Sequence, residues 1–281
     1  MADDTTASFV TSAGYRLHLR RIVGERPGTP TLVFLHEGLG TIAVWRDVPD
    51  ALCAATGCPG LIYERPGYGA SDPRSAPWPA DVLEQEAAIV LPALLDALRI
   101  DRPVLIGHSD GGTIALLYAA ALPERVQAVV TLAAHVVRDE LTFAGVSTLE
   151  RSWREGNLRS ELEHLHGPGV DTLFRAWARL WLDPAKGAWS IIDRLPHITC
   201  PVLAIQGADD EYGLPAQLDA IAAAVAGPAE RVLIPNCGHD PHHEARAVVV
   251  ERIAAFVRAL GSGHGAVEPQ HAPDPAKSAG A

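Results

Sequence analysis

Short, nearly unbroken apolar runs recur along the chain, each ending in a polar or glycine-rich turn. Tyr15 to Val23 reads as an early strand. Thr31 to Leu35 ends at His36, and Leu61-Ile-Tyr63 ends in Glu64-Arg65-Pro66-Gly67-Tyr68-Gly69. Val104 to Ile106, Val126 to Leu132, Val202 to Ile205 and Val232 to Ile234 complete the series. Runs of this length and uniformity predict strands buried on both faces of a sheet. Between them lie helical spacings. Residues 80–98 carry one, with Asp81 in the capping position; 111–122 form a small-residue helix stopped near Pro123; 243–260 make a last amphipathic helix. Strand and helix in alternation predict an α/β fold, a mostly parallel sheet with helices on both faces.

One stretch breaks the alternation. Residues 137–198 show helix-like segments without a strand pattern and hold Trp153, Trp177, Trp181 and Trp189. This reads as a helical cap inserted into a core of residues 1–136 and 199–261. Trp177 and Trp181 are four apart and share one helix face. That face is expected to pack on the sheet domain and roof a pocket. Residues 262–281 are rich in Gly, Pro, Ala and His and are expected to be a disordered tail.

Composition narrows the choice of partners. Of 281 residues, 48% are hydrophobic, enough for a sizeable core, and the net charge of −11 makes nucleic acid and anionic membrane poor partners. No apolar run reaches the roughly 18 residues of a membrane span. The first residues lack a basic segment followed by an apolar one, so a cytoplasmic location is expected. Cys53, Cys58, Cys200 and Cys237 show no CxxC pair and no zinc-ligand spacing and read as buried free thiols.

The chemistry gathers at predicted strand ends. Gly107-His108-Ser109-Asp110-Gly111 joins a strand to a helix, with small residues two positions either side of the serine. A sharp turn there presents the hydroxyl at the strand's C-terminal end. A serine needs a base, and the base needs a carboxylate to hold its tautomer. His239 follows the run ending at Ile234, while Asp209 and Asp210 follow the run ending at Ile205. The order Ser, Asp, His is the one that a nucleophile elbow uses. The amide of Asp110 is one expected donor to an oxyanion.

These motifs, over about residues 8 to 260, resemble the α/β-hydrolase family, specifically its small cap-bearing serine hydrolases and esterases. His36-Glu37-Gly38-Leu39-Gly40 resembles the family's His-Gly-x-x-Gly; Gly207 to Asp210 resembles its Gly-x-x-Asp; Gly238-His239 resembles its terminal Gly-His. The resemblance implies Asp210 rather than Asp209 as the acid and Gly38 as the second oxyanion donor. Two residues depart from the pattern. Glu37 stands where glycine is usual and is expected to turn away and pair with a cation, Arg65. Asp110 stands where many members are apolar. His36 is expected to brace the loop, His135 to lie near the pocket, and His108 to act as a packing or hydrogen-bonding neighbour. Around the pocket the expected contact residues are thus Glu37, His36, Trp177, Trp181 and His135.

His242, His243 and Glu244 are expected to form a surface helix start rather than a metal site. The implied activity is ester hydrolysis of a small, partly apolar acyl substrate, with no metal or organic cofactor. Lactone, thioester or carbon–carbon cleavage by the same triad, and a weakly catalytic ligand receptor on the same scaffold, are the competing readings.

Overall fold

The structure, a computed structural model, describes residues 7–75, 77–184 and 189–260; the expected disordered tail lies outside them. In chain order the elements are β1 (Ala7–Ser12), β2 (Tyr15–Ile22), β3 (Leu32–Leu35), α1 (Val48–Thr56), β4 (Gly60–Tyr63), α2 (Val82–Gln85), α3 (Leu91–Leu98), β5 (Val104–His108), α4 (Asp110–Ala121) and β6 (Ala128–Leu132). Then come α5 (Glu140–Glu155), α6 (Leu158–His166), α7 (Val170–Leu182), β7 (Val202–Gly207), α8 (Ala216–Ala224), β8 (Ala229–Ile234), α9 (Pro241–Glu244) and α10 (Arg246–Leu260).

The eight strands form one sheet in the order β1-β2-β4-β3-β5-β6-β7-β8. The β1–β2 and β2–β4 pairs are antiparallel, and every other pair is parallel. Strands β3 to β7 are buried on both faces, which is why their sequences run apolar without alternation. Val33, Leu35 and Leu105 point into a core shared with α4 and the α2–α3 helix. Leu32, Phe34 and Ile106 point into the opposite core, closed by α1 and α10. β1 escapes the apolar-run reading because Ala-Ser-Phe-Val-Thr-Ser mixes apolar and polar residues on a sheet edge, where Phe9 and Thr11 are exposed.

The chain leaves β3 for β4 on one side and returns to β5 on the other. Leu35 lies opposite Gly107, and His108 opposite Leu132. The C-terminal ends of β3 and β5 therefore flank the point where strand order reverses, the usual place for a ligand crevice in an open α/β sheet.

Two local expectations are corrected. Residues 82–98 are not one regular helix: a π-helical segment, Glu86–Val90, separates α2 from α3. Pro92 removes a donor just beyond it, and buried Glu86 pairs with buried Arg74. Asp81 does not cap by its side chain but accepts from Gln85 Nε2 at 3.1 Å.

Helices α5, α6 and α7 lie between β6 and β7 in the chain, and an isolated bridge, Val137 to Ser190, ties the ends of this insertion. Asp139 caps α5 through Thr142 N at 2.9 Å. Its other oxygen accepts from Leu214 N and Gln217 Nε2, each at 2.9 Å, and so anchors the insertion to the segment after β7. Trp153 stacks on Phe174 at 4.0 Å, and α7 buries Trp177 and Trp181. All four cysteines are buried and free. Among the described residues, no helix is long and apolar enough to cross a membrane.

Candidate active site

Ser109 sits between β5 and α4 with φ 51° and ψ −118°, a conformation that strains any residue with a Cβ. The turn closes only around bare backbone. A Cβ on Gly107 would lie 2.2 Å from the Gly111 carbonyl oxygen, and one on Gly111 would lie 2.0 Å from the Leu35 carbonyl oxygen. Gly111→Ala is therefore expected to destabilise the fold by about 1–3 kcal/mol, the usual range for overpacking; thermal denaturation beside wild type checks it.

Ser109, His239, Gly38 and Asp110 line one cavity of about 180 Å³, roofed by Trp177 and Trp181 of α7. His239 follows β8, and its Nδ1 lies 2.8 Å from Asp210 Oδ1. Asp210 is 4% exposed and also accepts from the Tyr212 and Gly213 amides at 2.9 and 3.2 Å and from Gln206 Nε2 at 3.1 Å. Burial by itself raises this carboxyl's pKa. The hydrogen bond and charge of His239, with the Tyr212 amide, outweigh it and hold the group below the ordinary range. Asp209 points to solvent. The loop carrying His239 is pinned by Glu244, which accepts from Gly238 N at 2.7 Å and Asp240 N at 3.1 Å.

The loop after β3 is held from behind. His36 is fully buried and lies behind the cavity wall rather than in it. Burial, then the charge of Arg65, keeps its ring neutral. Its Nε2 accepts from Arg65 N at 3.2 Å, so Nδ1 carries the proton and donates to the Glu37 carbonyl at 2.8 Å. Arg65 Nη2 donates to the same carbonyl at 2.6 Å. The expected pairing of the Glu37 carboxylate with Arg65 is thus corrected: Arg65 takes the main-chain oxygen. The carboxylate reaches the neighbouring strand instead, where Oε2 lies 3.6 Å from His108 Nδ1. Burial would lower the His108 pKa, but Glu37 and then Asp240 more than offset it, and the net direction is up. His108 Nε2 lies 2.9 Å from the His239 carbonyl, so the residue ties the serine turn to both flanking loops.

Asp110 begins α4 and is 2% exposed. Burial raises its carboxyl, while the charge of Arg65 and a hydrogen bond from Trp181 pull the other way. His135 follows β6 and lines the cavity beside Trp181 and His239, at ring separations of 5.3 and 5.7 Å.

The expectation of a surface helix start at residues 242–244 is corrected. His242 is 1% exposed, its ring 5.1 Å from that of Trp45 and 4.6 Å from that of His108, and His243 Nε2 lies 2.7 Å from the Val44 carbonyl. Pro241 starts a single turn, α9, that tucks under the loop after β3. Donor atoms of His108, Asp240 and His242 fall within 4.8 Å of one another. No sequence spacing announces that grouping, and the nearby His239 carbonyl already engages His108 Nε2.

Sequence reasoning also missed His166. From α6 it accepts from Gly69 N through Nδ1 at 3.0 Å, so its Nε2 donates to the Leu39 carbonyl at 2.9 Å. It joins the insertion to the loop bearing Gly38. Nothing distinguishes it in sequence from other polar residues of an amphipathic helix.

A strained serine at a strand-to-helix turn, sharing a cavity with a histidine bonded to a buried aspartate at the C-terminal edge of a mostly parallel sheet, is the architecture of one class of protein. The sequence profile of the alpha/beta hydrolase family matches residues 32–252, and the chain belongs to that family. It is 27% identical over 228 residues to the human serine hydrolase BPHL, covering 78% of this chain and 70% of that one. It is 23% identical over 274 residues to 2-hydroxy-6-oxo-6-phenylhexa-2,4-dienoate hydrolase of Burkholderia cepacia, covering 85% and 92%. The solved structure of a thermophilic esterase from Thermogutta terrifontis superposes with a TM-score of 0.70 at 19% identity, covering 91% and 99%.

Proposed function

We propose that this hydrolase cleaves a small, partly apolar carboxylic ester through an acyl-enzyme on Ser109. The 2.8 Å bond from buried Asp210 to His239, which lines the cavity that holds the strained Ser109, carries this reading. His239 takes the Ser109 proton as Oγ attacks the ester carbonyl. The amides of Gly38 and Asp110 receive the oxyanion. The C–O bond to the alcohol breaks, and His239 returns the proton to the leaving oxygen. Water, deprotonated by His239, then attacks the acyl-enzyme, and the acid departs as Ser109 is reprotonated. Protein groups and water supply each step. The partner is a small acyl molecule; a chain of net charge −11 is ill suited to nucleic acid.

The named relatives favour one second reading. They include dienoate and 2-hydroxymuconate semialdehyde hydrolases, at 23% and 28% identity. Hydrolysis of a carbon–carbon bond next to a ketone by the same residues is therefore the alternative, and identifying the products separates the two.

The test is hydrolysis of p-nitrophenyl esters of increasing chain length, with mass spectrometry after a fluorophosphonate probe. Turnover and a single adduct on Ser109 are expected. Absence of both would overturn the proposal.

A further inference from the structure

A trans peptide is planar, with its N–H opposite to its carbonyl. The Gly38 N–H therefore shares a plane with the Glu37 carbonyl. That carbonyl accepts from His36 Nδ1 at 2.8 Å and Arg65 Nη2 at 2.6 Å. Both donors are buried and neither lines the Ser109 cavity, whereas Gly38 does. Two bonds to one oxygen hold a point and leave the plane free to swing about it. The Glu37 side chain supplies the second anchor. It curls beneath its own loop, where a Cβ on Gly40 would lie 2.4 Å from the carboxylate, and Oε2 lies 3.6 Å from His108 Nδ1. His108 immediately precedes Ser109, and its Nε2 lies 2.9 Å from the His239 carbonyl.

The charge on His108 follows from its neighbours. A carbonyl only accepts, so Nε2 carries a hydrogen; an ionised carboxylate also only accepts, so Nδ1 carries one too. The ring is then an imidazolium. Burial opposes that charge, but Glu37 outweighs it on His108; burial likewise opposes the Glu37 charge, and His108 outweighs it there. The other groups around the pair agree. Asp240 Oδ1 lies 3.6 Å from His108 Nε2, while burial keeps the His242 and His36 rings neutral. Arg65 adds positive charge near Glu37, and burial raises the Asp110 carboxyl on the far side of Ser109.

Resting on the acyl-transfer reading, we propose that Glu37 and protonated His108 are positioning residues: their ion pair locks the Glu37–Gly38 peptide against the serine turn, so that the Gly38 N–H stands ready for the oxyanion. Neither side chain touches the reacting atoms. The oxyanion exists only after attack, so the pair acts on kcat and leaves KM nearly unchanged.

The experiment measures kcat and KM for p-nitrophenyl acetate at pH 7.5, with circular dichroism and melting temperature for each variant. His108→Gln sets an amide oxygen or N–H against a carboxylate that has lost its cation, and kcat is expected to fall about 10- to 100-fold with KM within about twofold. In the double variant Glu37→Gln/His108→Gln the two amides can bond each other, and kcat is expected to recover about tenfold over His108→Gln alone. Glu37→Ala approaches the pair from the other side and should show the same loss in kcat, which keeps the test open if His108→Gln does not fold. Wild-type kcat in Glu37→Ala, a loss carried by KM, or a double variant no better than His108→Gln would overturn the proposal. Nitrogen-15 shifts of the histidine rings, assigned against the His108 variant or, failing that, by sequential connectivity, read the charge without turnover. A doubly protonated His108 at pH 7.5 is expected, and a neutral ring overturns the pairing. Absence of Ser109-dependent turnover in the wild type would instead count against the acyl-transfer reading, so the two failures are distinguishable.

Discussion

Ser109→Ala is expected to lower kcat for ester hydrolysis by about 10⁴- to 10⁶-fold, the scale on which removing a triad nucleophile acts elsewhere. The remaining activity would come from the oxyanion donors and the cavity alone. Circular dichroism of the variant should match wild type, since the hydroxyl is not part of the core. Ser109→Gly sharpens the test. At φ 51° and ψ −118° a Cβ is strained and glycine is not. The glycine variant should therefore lose the same activity while its melting temperature rises. A lower melting temperature would mean that the turn is held for stability rather than for presentation of the hydroxyl.

Asp210→Asn should cost about 10⁴-fold in kcat with the fold intact. Asparagine can fill the same space, but its amide N–H can face Nδ1 and favour the tautomer with the hydrogen on Nε2, the atom that must receive the serine proton. Single-turnover kinetics, which isolate acylation, provide the check. The same substitution reports on stability. The folded Asp210 carboxyl is held below its unfolded value, so its contribution is fully present above about pH 4 and is lost as pH falls through the folded value. Asp210→Asn should show less acid-side loss of melting temperature than wild type, measured from pH 6 downward. An unchanged slope would mean that other carboxylates set the acid limit.

The fold was legible because its strands are buried on both faces. Sequences such as Leu32-Val-Phe-Leu35 have no polar alternative to a central parallel strand. The edge strand β1 lacked that signal, for its six residues form neither an apolar run nor a strict alternation, and Phe9 faces solvent. Ser109 stood out through the glycines that its turn demands, and the contacts of Gly107 and Gly111 supply the reason. The choice between Asp209 and Asp210 could not come from spacing alone. It turns on which carboxylate faces inward, and the Tyr212 and Gly213 amides capture Asp210.

Other features depended on residues far apart in the chain. His108 and Glu37 meet across adjacent strands, so Arg65, the nearer guess by chemistry, was free to brace a carbonyl. His242 is buried because α9 packs against Trp45, nearly two hundred residues earlier. His166 reaches the loop bearing Gly38 only because the insertion folds down on it. By itself the sequence determined the alternating architecture, the turn at Ser109 and the strand ends at which His239 and the two aspartates emerge. Each of these follows from local sterics and from burial repeated at short range. The tertiary structure decided which polar atoms are paired and which are buried without a partner. Pairing depends on distance and direction between side chains brought together by packing, and no pattern along the chain encodes it.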